Sequence, residues 1–313
     1  MELSRHQLGT TGLTVTNLCF GTSALGSMPS VYGYSVEEAQ ALETLRRVFS
    51  SPVNFVDTSN GYGGGESERR IGIVLEELGG LPPGLVLATK VDPDQTGDYS
   101  GRRVVESVRE SRERLHMEHL PLVYLHDPEK ITFAEAMAPD GAVRALVDLK
   151  EQGTIGHLGV AGGPVDLMRL YVETKLFDVL ISHNRYTLLD RSAAQLIEDC
   201  QEIGMAFVNG APFGGGILAR GPGAEARYAY RAAPRAVHDQ AVLIEATCAR
   251  WGIPLAAAAL QFSMRNPQIV STIVGVTKPE RVAQTSDLVR LDIPDELWQE
   301  LDALAAPEDV WLR

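Results

Sequence analysis

Asp57, Tyr62, Lys90 and His126 each stand at or just beyond the end of a short apolar run: Asn54–Thr58, Leu85–Lys90 and Leu122–Asp127. If those runs are neighbouring strands, the four groups meet in one pocket. A buried lysine needs a counter-charge, and Asp57 on the adjacent strand supplies it. A tyrosine beside that lysine has its anion favoured and its pKa lowered from about 10. Such a phenol can give and take a proton at a carbonyl or hydroxyl oxygen. His126 would hydrogen-bond the same oxygen and orient the substrate. Each residue alone has a plainer reading, since an aspartate there often caps a helix and a lysine is usually solvated. Their order at consecutive strand ends is what singles them out.

Positioning them requires a repeating scaffold. Strand-like runs at Val15–Thr22, Asn54–Thr58, Leu85–Lys90, Leu122–Asp127, Gly156–Ala161, Val179–His183, Ala206–Asn209 and Ser271–Val276 alternate with amphipathic stretches. Those stretches are Glu37–Phe49, Glu66–Leu78, Arg102–Leu115, Val143–Gln152, Leu167–Lys175, Ala193–Ile203, Val237–Trp251, Leu255–Arg265 and Arg281–Val289. This alternation predicts a parallel sheet covered by helices. An open doubly wound sheet repeats in the same way. Eight βα units, and the absence of GxGxxG after the first strand, favour a closed (β/α)8 TIM barrel. Arg5–Val15, with Gly9-Thr10-Thr11-Gly12 in its middle, reads as a hairpin before the barrel, and Glu296–Ala305 as an extra C-terminal helix. No linker or shift in composition divides residues 1–313, so one barrel domain is expected. Phe213–Pro234 is the longest irregular stretch, and a loop of that length is usually a lid or disordered.

The chain has 313 residues, 28 Lys and Arg against 41 Asp and Glu, and a formal charge of −13. Such an acidic chain lacks the electrostatic footprint for nucleic acid or an anionic membrane. No run approaches ~18 uninterrupted apolar residues, and MELSRH does not read as a signal peptide. Cys19, Cys200 and Cys248 are scattered and form no CxxC, as expected of buried thiols in a reducing cytoplasm. No His-x-His or carboxylate cluster is apparent at the strand ends, so no metal is expected. His116, His119 and His157 fall away from those ends, whereas His183 stands at one and could touch substrate or cofactor.

Asn54-Phe55-Val56-Asp57-Thr58-Ser59-Asn60-Gly61-Tyr62-Gly63 with Gly65-Glu66-Ser67-Glu68, then Ala88-Thr89-Lys90 and Tyr124-Leu125-His126, resembles the aldo-keto reductase family along essentially the whole chain. The resemblance implies a (β/α)8 barrel, a catalytic tetrad of Asp57, Tyr62, Lys90 and His126, and Tyr62 as general acid–base. It also implies a nicotinamide dinucleotide bound without a Rossmann domain. Gly21-Thr22 matches the turn beneath nicotinamide and ribose, with Asp57 beside it, and Asn184 the amide that holds the carboxamide. Ala211, Pro212, Phe213, Gly214, Gly216 and Leu218 fall in the loop covering the pyrophosphate, where glycines let N–H groups approach phosphate. Gly275, Thr277, Lys278, Arg281, Gln284 and Thr285 match the adenosine-phosphate segment at a helix start, a suitable anion site.

Three departures bear on the cofactor. Ala161-Gly162 replaces the family's common Ser-Asn, leaving more of the carboxamide to Asn184. Gln284 and Thr285 replace a common glutamate and asparagine near adenine. Gly275 stands where NADP-selective members often carry lysine, so either cofactor is expected, with NADP slightly favoured. The loops resemble those of sugar dehydrogenases acting on fucose- or galactose-like aldoses, and of the related pyridoxal dehydrogenase. The implied reaction oxidises the C1 hydroxyl to a lactone. A general aldehyde or ketone reductase, or a regulatory subunit that only binds cofactor, are the rivals.

Overall fold

The computed structural model describes residues 3–223, 226–306 and 308–312. Its strands are β1 (Arg5–Gln7), β2 (Thr14–Thr16), β3 (Leu18–Gly21), β4 (Phe55–Asp57), β5 (Val86–Val91) and β6 (Leu120–His126). They continue with β7 (Ile155–Gly162), β8 (Val179–His183), β9 (Ala206–Gly210), β10 (Arg227–Tyr228), β11 (Arg231–Ala232) and β12 (Ile269–Gly275). The closed parallel barrel runs β12-β3-β4-β5-β6-β7-β8-β9. The expected eightfold barrel is therefore present, with the N-terminal hairpin before it and the helix Asp295–Ala303 near its end.

The apolar pattern explains closure. Cys19, Phe55, Ala88, Leu122, Tyr124, Val179, Ile181 and Val208 fill the barrel interior, and the larger core lies between strands and helices. Tyr124 fits because its neighbour is Gly159, where a Cβ would lie 2.2 Å from the ring. The run expected as one strand over Val15–Thr22 is divided. Thr16 pairs with Arg5 in the hairpin, whereas Leu18 pairs with Thr272 in the barrel. The buried Leu8 and Val15 side chains join the interior cluster, so the hairpin closes the N-terminal end of the barrel.

The helix Gly101–Leu115 shows how sequence fixes an element beside the reactive groups. Ser100 caps it by accepting from the Arg103 N–H, and Val104, Ser107, Val108, Ser111 and Leu115 form its buried stripe. Just before it, the Tyr99 hydroxyl donates to a carbonyl and accepts from the His126 N–H, at 2.6 Å from Val91 O and 2.9 Å from His126 N. That contact ties the ends of β5 and β6 together. His116 ends the helix at φ 53°, and His119 Nδ1 lies 2.9 Å from the Gly153 carbonyl. His157 lies within β7, its Nδ1 3.6 Å from Asp178.

Phe213–Pro234 is not the irregular loop expected from its composition. It contains a 3-10 turn at Gly214–Gly216, a short helix at Ile217–Arg220 and the hairpin β10–β11. Among the described residues, no single helix is long and apolar enough to cross a membrane.

Candidate active site

Asp57 and His126 are the last residues of β4 and β6, and Lys90 is the penultimate residue of β5. Because a strand alternates its faces, Asp57, Lys90 and His126 extend the inward rows begun by Phe55, Ala88 and Tyr124. Lys90 Nζ pairs with Asp57 Oδ2, donates to the Thr58 carbonyl at 2.6 Å and lies 3.1 Å from the Tyr62 hydroxyl. Both charged groups are only 3% exposed, so each depends on the other for its charge. The structure thus brings the four expected side chains together.

Tyr62 comes from the turn before the helix Glu66–Leu78 and is set by two glycines. A Cβ on Gly63, which has φ +64°, would lie 2.0 Å from the Gly26 carbonyl oxygen. A Cβ on Gly26 would lie 2.8 Å from the Tyr62 carbonyl oxygen. The turn after β3 and the tyrosine turn therefore touch backbone to backbone.

Electrostatics correct one expectation. The Tyr62 hydroxyl is pushed well above its ordinary value, first by burial and then by the charges of Asp57, Asp127 and Asp92. The nearby ammonium was expected to lower it, but Asp57 takes up that positive charge. Asp57 is itself raised by burial, against the opposing pull of Lys90 and His126.

Asp92 is the residue that the sequence pattern did not single out. Its Oδ1 lies 2.7 Å from His126 Nδ1, while Oδ2 accepts from the Gly61 N–H at 2.8 Å and from the Ser59 hydroxyl. Burial opposes its charge, yet His126, Ser59 and Gly61 together hold the carboxyl below its ordinary range. For His126, burial favours the neutral ring, but Asp92 and Asp127 outweigh it and raise its pKa. The available signal was the strand period, which places Asp92 on the same side as Lys90 two residues earlier.

A cavity of about 700 Å³ runs from these groups to the far rim of the barrel. Of the expected cofactor residues, Gly21, Asp57, Ala211, Pro212, Phe213, Gly216, Gly275, Thr277, Arg281 and Thr285 line it. Thr22 is buried instead, its hydroxyl donating to the Asp57 carbonyl at 3.0 Å. Leu218 is in the core, Gly214 is buried behind Tyr228, and Lys278 and Gln284 are exposed outside the lining. Asn184, next to His183 in the chain, is not part of the lining; it has φ 62°, is 1% exposed, and its buried Oδ1 has no hydrogen-bond partner among the described residues. His183 lines the cavity, and burial lowers its pKa to about 4.

Several lining residues were not anticipated. Tyr32, Tyr34 and Tyr230 form an aromatic wall, with Tyr32 centroids 5.8 and 5.9 Å from the other two. Tyr230 reaches it from the tip of β10–β11, where Ala229 and Tyr230 both have positive φ, 46° and 67°. A carboxylate–histidine cluster does stand at the strand ends, contrary to expectation: Asp127, Glu129 and His183 each bring one atom within 4.8 Å of the others. Lys130 pairs with Asp127 at 3.1 Å, so this cluster has its own cation.

The cavity suits a dinucleotide. Asn184, adjacent to the lining residue His183, has a buried amide oxygen without a partner among the described residues, and Gly21 and Gly275, paired at adjoining strand ends, leave bare backbone. A Cβ on Gly275 would meet nothing within 4 Å among the described residues. Arg281 lies in the first turn of the helix Pro279–Arg290, where a phosphate is favoured.

Comparison with known proteins agrees with this geometry. The chain is 30% identical to pyridoxal 4-dehydrogenase of Microbacterium luteolum, covering 95% of this chain and 96% of that one. It is 29% identical to D-threo-aldose 1-dehydrogenase of a Pseudomonas species, with 93% and 94% covered. It is 30% identical to L-galactose dehydrogenase of Arabidopsis thaliana, with 98% and 95% covered. Among solved structures, the holo form of an aldo-keto reductase from Bacillus halodurans superposes with a TM-score of 0.79 at 25% identity, covering 97% of both chains. Residues 17–306 match the aldo/keto reductase family, and the chain belongs to that family.

Proposed function

We propose that this chain is a cytoplasmic NAD(P)-dependent dehydrogenase that oxidises the C1 hydroxyl of a fucose- or galactose-like aldose to a lactone. The observation that carries this reading is the Tyr62 hydroxyl 3.1 Å from Lys90 Nζ, with His126 beside it in a cavity of about 700 Å³ that is also lined by Arg281. The names of two relatives, D-threo-aldose and L-galactose dehydrogenases, support the sugar class. Three free, buried cysteines fit a reducing compartment.

When bound, the nicotinamide supplies the hydride acceptor. The chain's own part is to hold and move a proton. In the oxidising direction Tyr62 first loses its own proton; as a phenolate stabilised by Lys90, itself anchored on Asp57, it takes the proton of the C1 hydroxyl as the carbon gives up its hydride. His126 holds the substrate oxygen. Asn184 would hold the carboxamide, and Ala211–Gly216, Thr277 and Arg281 would hold the phosphates and adenosine. A pyranose presents an apolar C–H face and a polar edge, which suits a wall of tyrosines carrying both ring and hydroxyl.

The same wall favours a second reading, a reductase of aromatic aldehydes, because Met28 and Val31 add apolar surface beside Tyr32. Purified protein with NAD or NADP and a panel of aldoses tests the first reading. It is supported by lactone formation with a kcat/KM above that for benzaldehyde reduction. The reverse ranking would select the second.

A further inference from the structure

Buried Asp92 and half-buried His126 form a pair outside the expected tetrad contacts. We infer that Asp92 is a positioning residue: it fixes the His126 proton on Nδ1, so that the proton gained or lost with pH is the one on Nε2, towards the substrate. The inference deepens the dehydrogenase reading above and rests on it for its catalytic consequence, though not for the tautomer.

Hydrogen-bond polarity carries the argument. Asp92 Oδ1, 2.7 Å from His126 Nδ1, is a carboxylate acceptor, so Nδ1 donates. The Ser59 hydroxyl lies 3.1 Å from the same nitrogen, but its one proton goes to Asp92 Oδ2, so it too faces Nδ1 as an acceptor. The Gly61 N–H, always a donor, holds Oδ2 at 2.8 Å. A Cβ on Gly61 would lie 2.8 Å from the Asp92 carboxyl carbon, so glycine permits this approach. Arg103 Nε donates to the Asp92 carbonyl at 3.2 Å and fixes its backbone.

Other charged groups surround the His126 ring, Glu129 among them. Asp127 Oδ1 lies 3.6 Å from His126 Nε2, and Lys130 spans Asp127 and Asp92 at 3.1 and 3.9 Å. Lys90 and Asp57 face the ring from β5 and β4, Tyr62 meets it edge-on at 5.5 Å, and His183 Nε2 is 3.9 Å from Asp127. With Nδ1 committed, protonated His126 offers an Nε2–H to a carbonyl oxygen. Neutral His126 has a bare Nε2 and nothing to donate to a carbonyl oxygen. Acid thus favours carbonyl reduction.

Asp92→Asn inverts this arrangement without changing shape. Gly61 still requires an acceptor in the Oδ2 place, so the amide oxygen stays there and the NH₂ turns to Nδ1. Nδ1 must then accept, and neutral His126 carries its proton on Nε2.

The test is ¹⁵N NMR of histidine-labelled protein at pH 9, with the pH profile of carbonyl reduction. Wild type should show Nδ1–H, and its reduction kcat should fall about tenfold as pH rises through the His126 transition. Asp92→Asn should show Nε2–H and a reduction profile flat within about twofold over that range. Ser59→Ala, which leaves the Asp92–His126 and Gly61 contacts, should keep the wild-type Nδ1–H tautomer. Nε2–H in wild type, or an unchanged tautomer in Asp92→Asn, overturns the inference. If Asp92→Asn does not fold, the wild-type tautomer decides alone. If wild type turns over neither sugars nor aldehydes, the proposed function fails while the tautomer still tests Asp92.

Discussion

Lys90 Nζ lies 3.1 Å from the Tyr62 hydroxyl while it is paired with the carboxylate of Asp57. One ammonium therefore serves both, besides donating to the Thr58 carbonyl. Its pairing with Asp57 explains why burial, unopposed, drives the phenol upward. Tyr62 is set to hold its proton, and giving it up requires the positive charge that Lys90 keeps alongside.

Tyr62→Phe removes the proton carrier and keeps the ring. The expected outcome is a kcat lower by about 10²–10⁴, with cofactor affinity unchanged. Stopped-flow turnover together with fluorescence titration of reduced cofactor checks it. A kcat near wild type would remove Tyr62 from the acid–base role.

Lys90→Met leaves Asp57, 3% exposed, without its counter-charge. Breaking such a pair should cost about 3–5 kcal/mol of stability, and adding Asp57→Asn should recover a large part of it. Urea unfolding of the single and double variants measures both. Equal stability of Lys90→Met and wild type would contradict a buried ion pair.

Gly63→Ala tests the backbone contact that sets Tyr62. Its Cβ would lie 2.0 Å from the Gly26 carbonyl oxygen, at a residue with φ +64°. A loss of about 2–3 kcal/mol is expected. Activity should fall with it, because any relief of the clash moves the tyrosine turn. Thermal unfolding and turnover of the purified variant report the two effects separately.

The barrel and the four-residue cluster were legible because both rest on local pattern. Alternating apolar runs announce strands, and a polar residue at each strand end announces a mouth. Asp92 was not singled out, because its role depends on Gly61 and Ser59 meeting it across a turn. Tyr230 was missed for a similar reason. It lies in a segment rich in Gly and Arg that reads as loop, and only the pairing of Arg227–Tyr228 with Arg231–Ala232 lifts it over the cavity. Thr22 illustrates the reverse case. Its place beside Gly21 suggested cofactor contact, but its hydroxyl is used on the Asp57 carbonyl.

Arg281 lines the cavity in the first turn of its helix, where it can meet an adenosine 2′-phosphate. Arg281→Ala should weaken NADP binding by about 1.5–3 kcal/mol, and NAD binding by much less. Calorimetric titration of both cofactors distinguishes the cases. Equal losses would mean that Arg281 supports the helix or stacks on adenine.

The most direct measurement is the growth of the reduced-nicotinamide absorbance when wild-type protein is mixed with NAD or NADP and an aldopyranose such as fucose or galactose. The expected result is steady cofactor reduction with lactone as the product, abolished in Tyr62→Phe. Absorbance that stays flat with every aldose, while aromatic aldehydes oxidise the reduced cofactor rapidly, would contradict the sugar dehydrogenase reading.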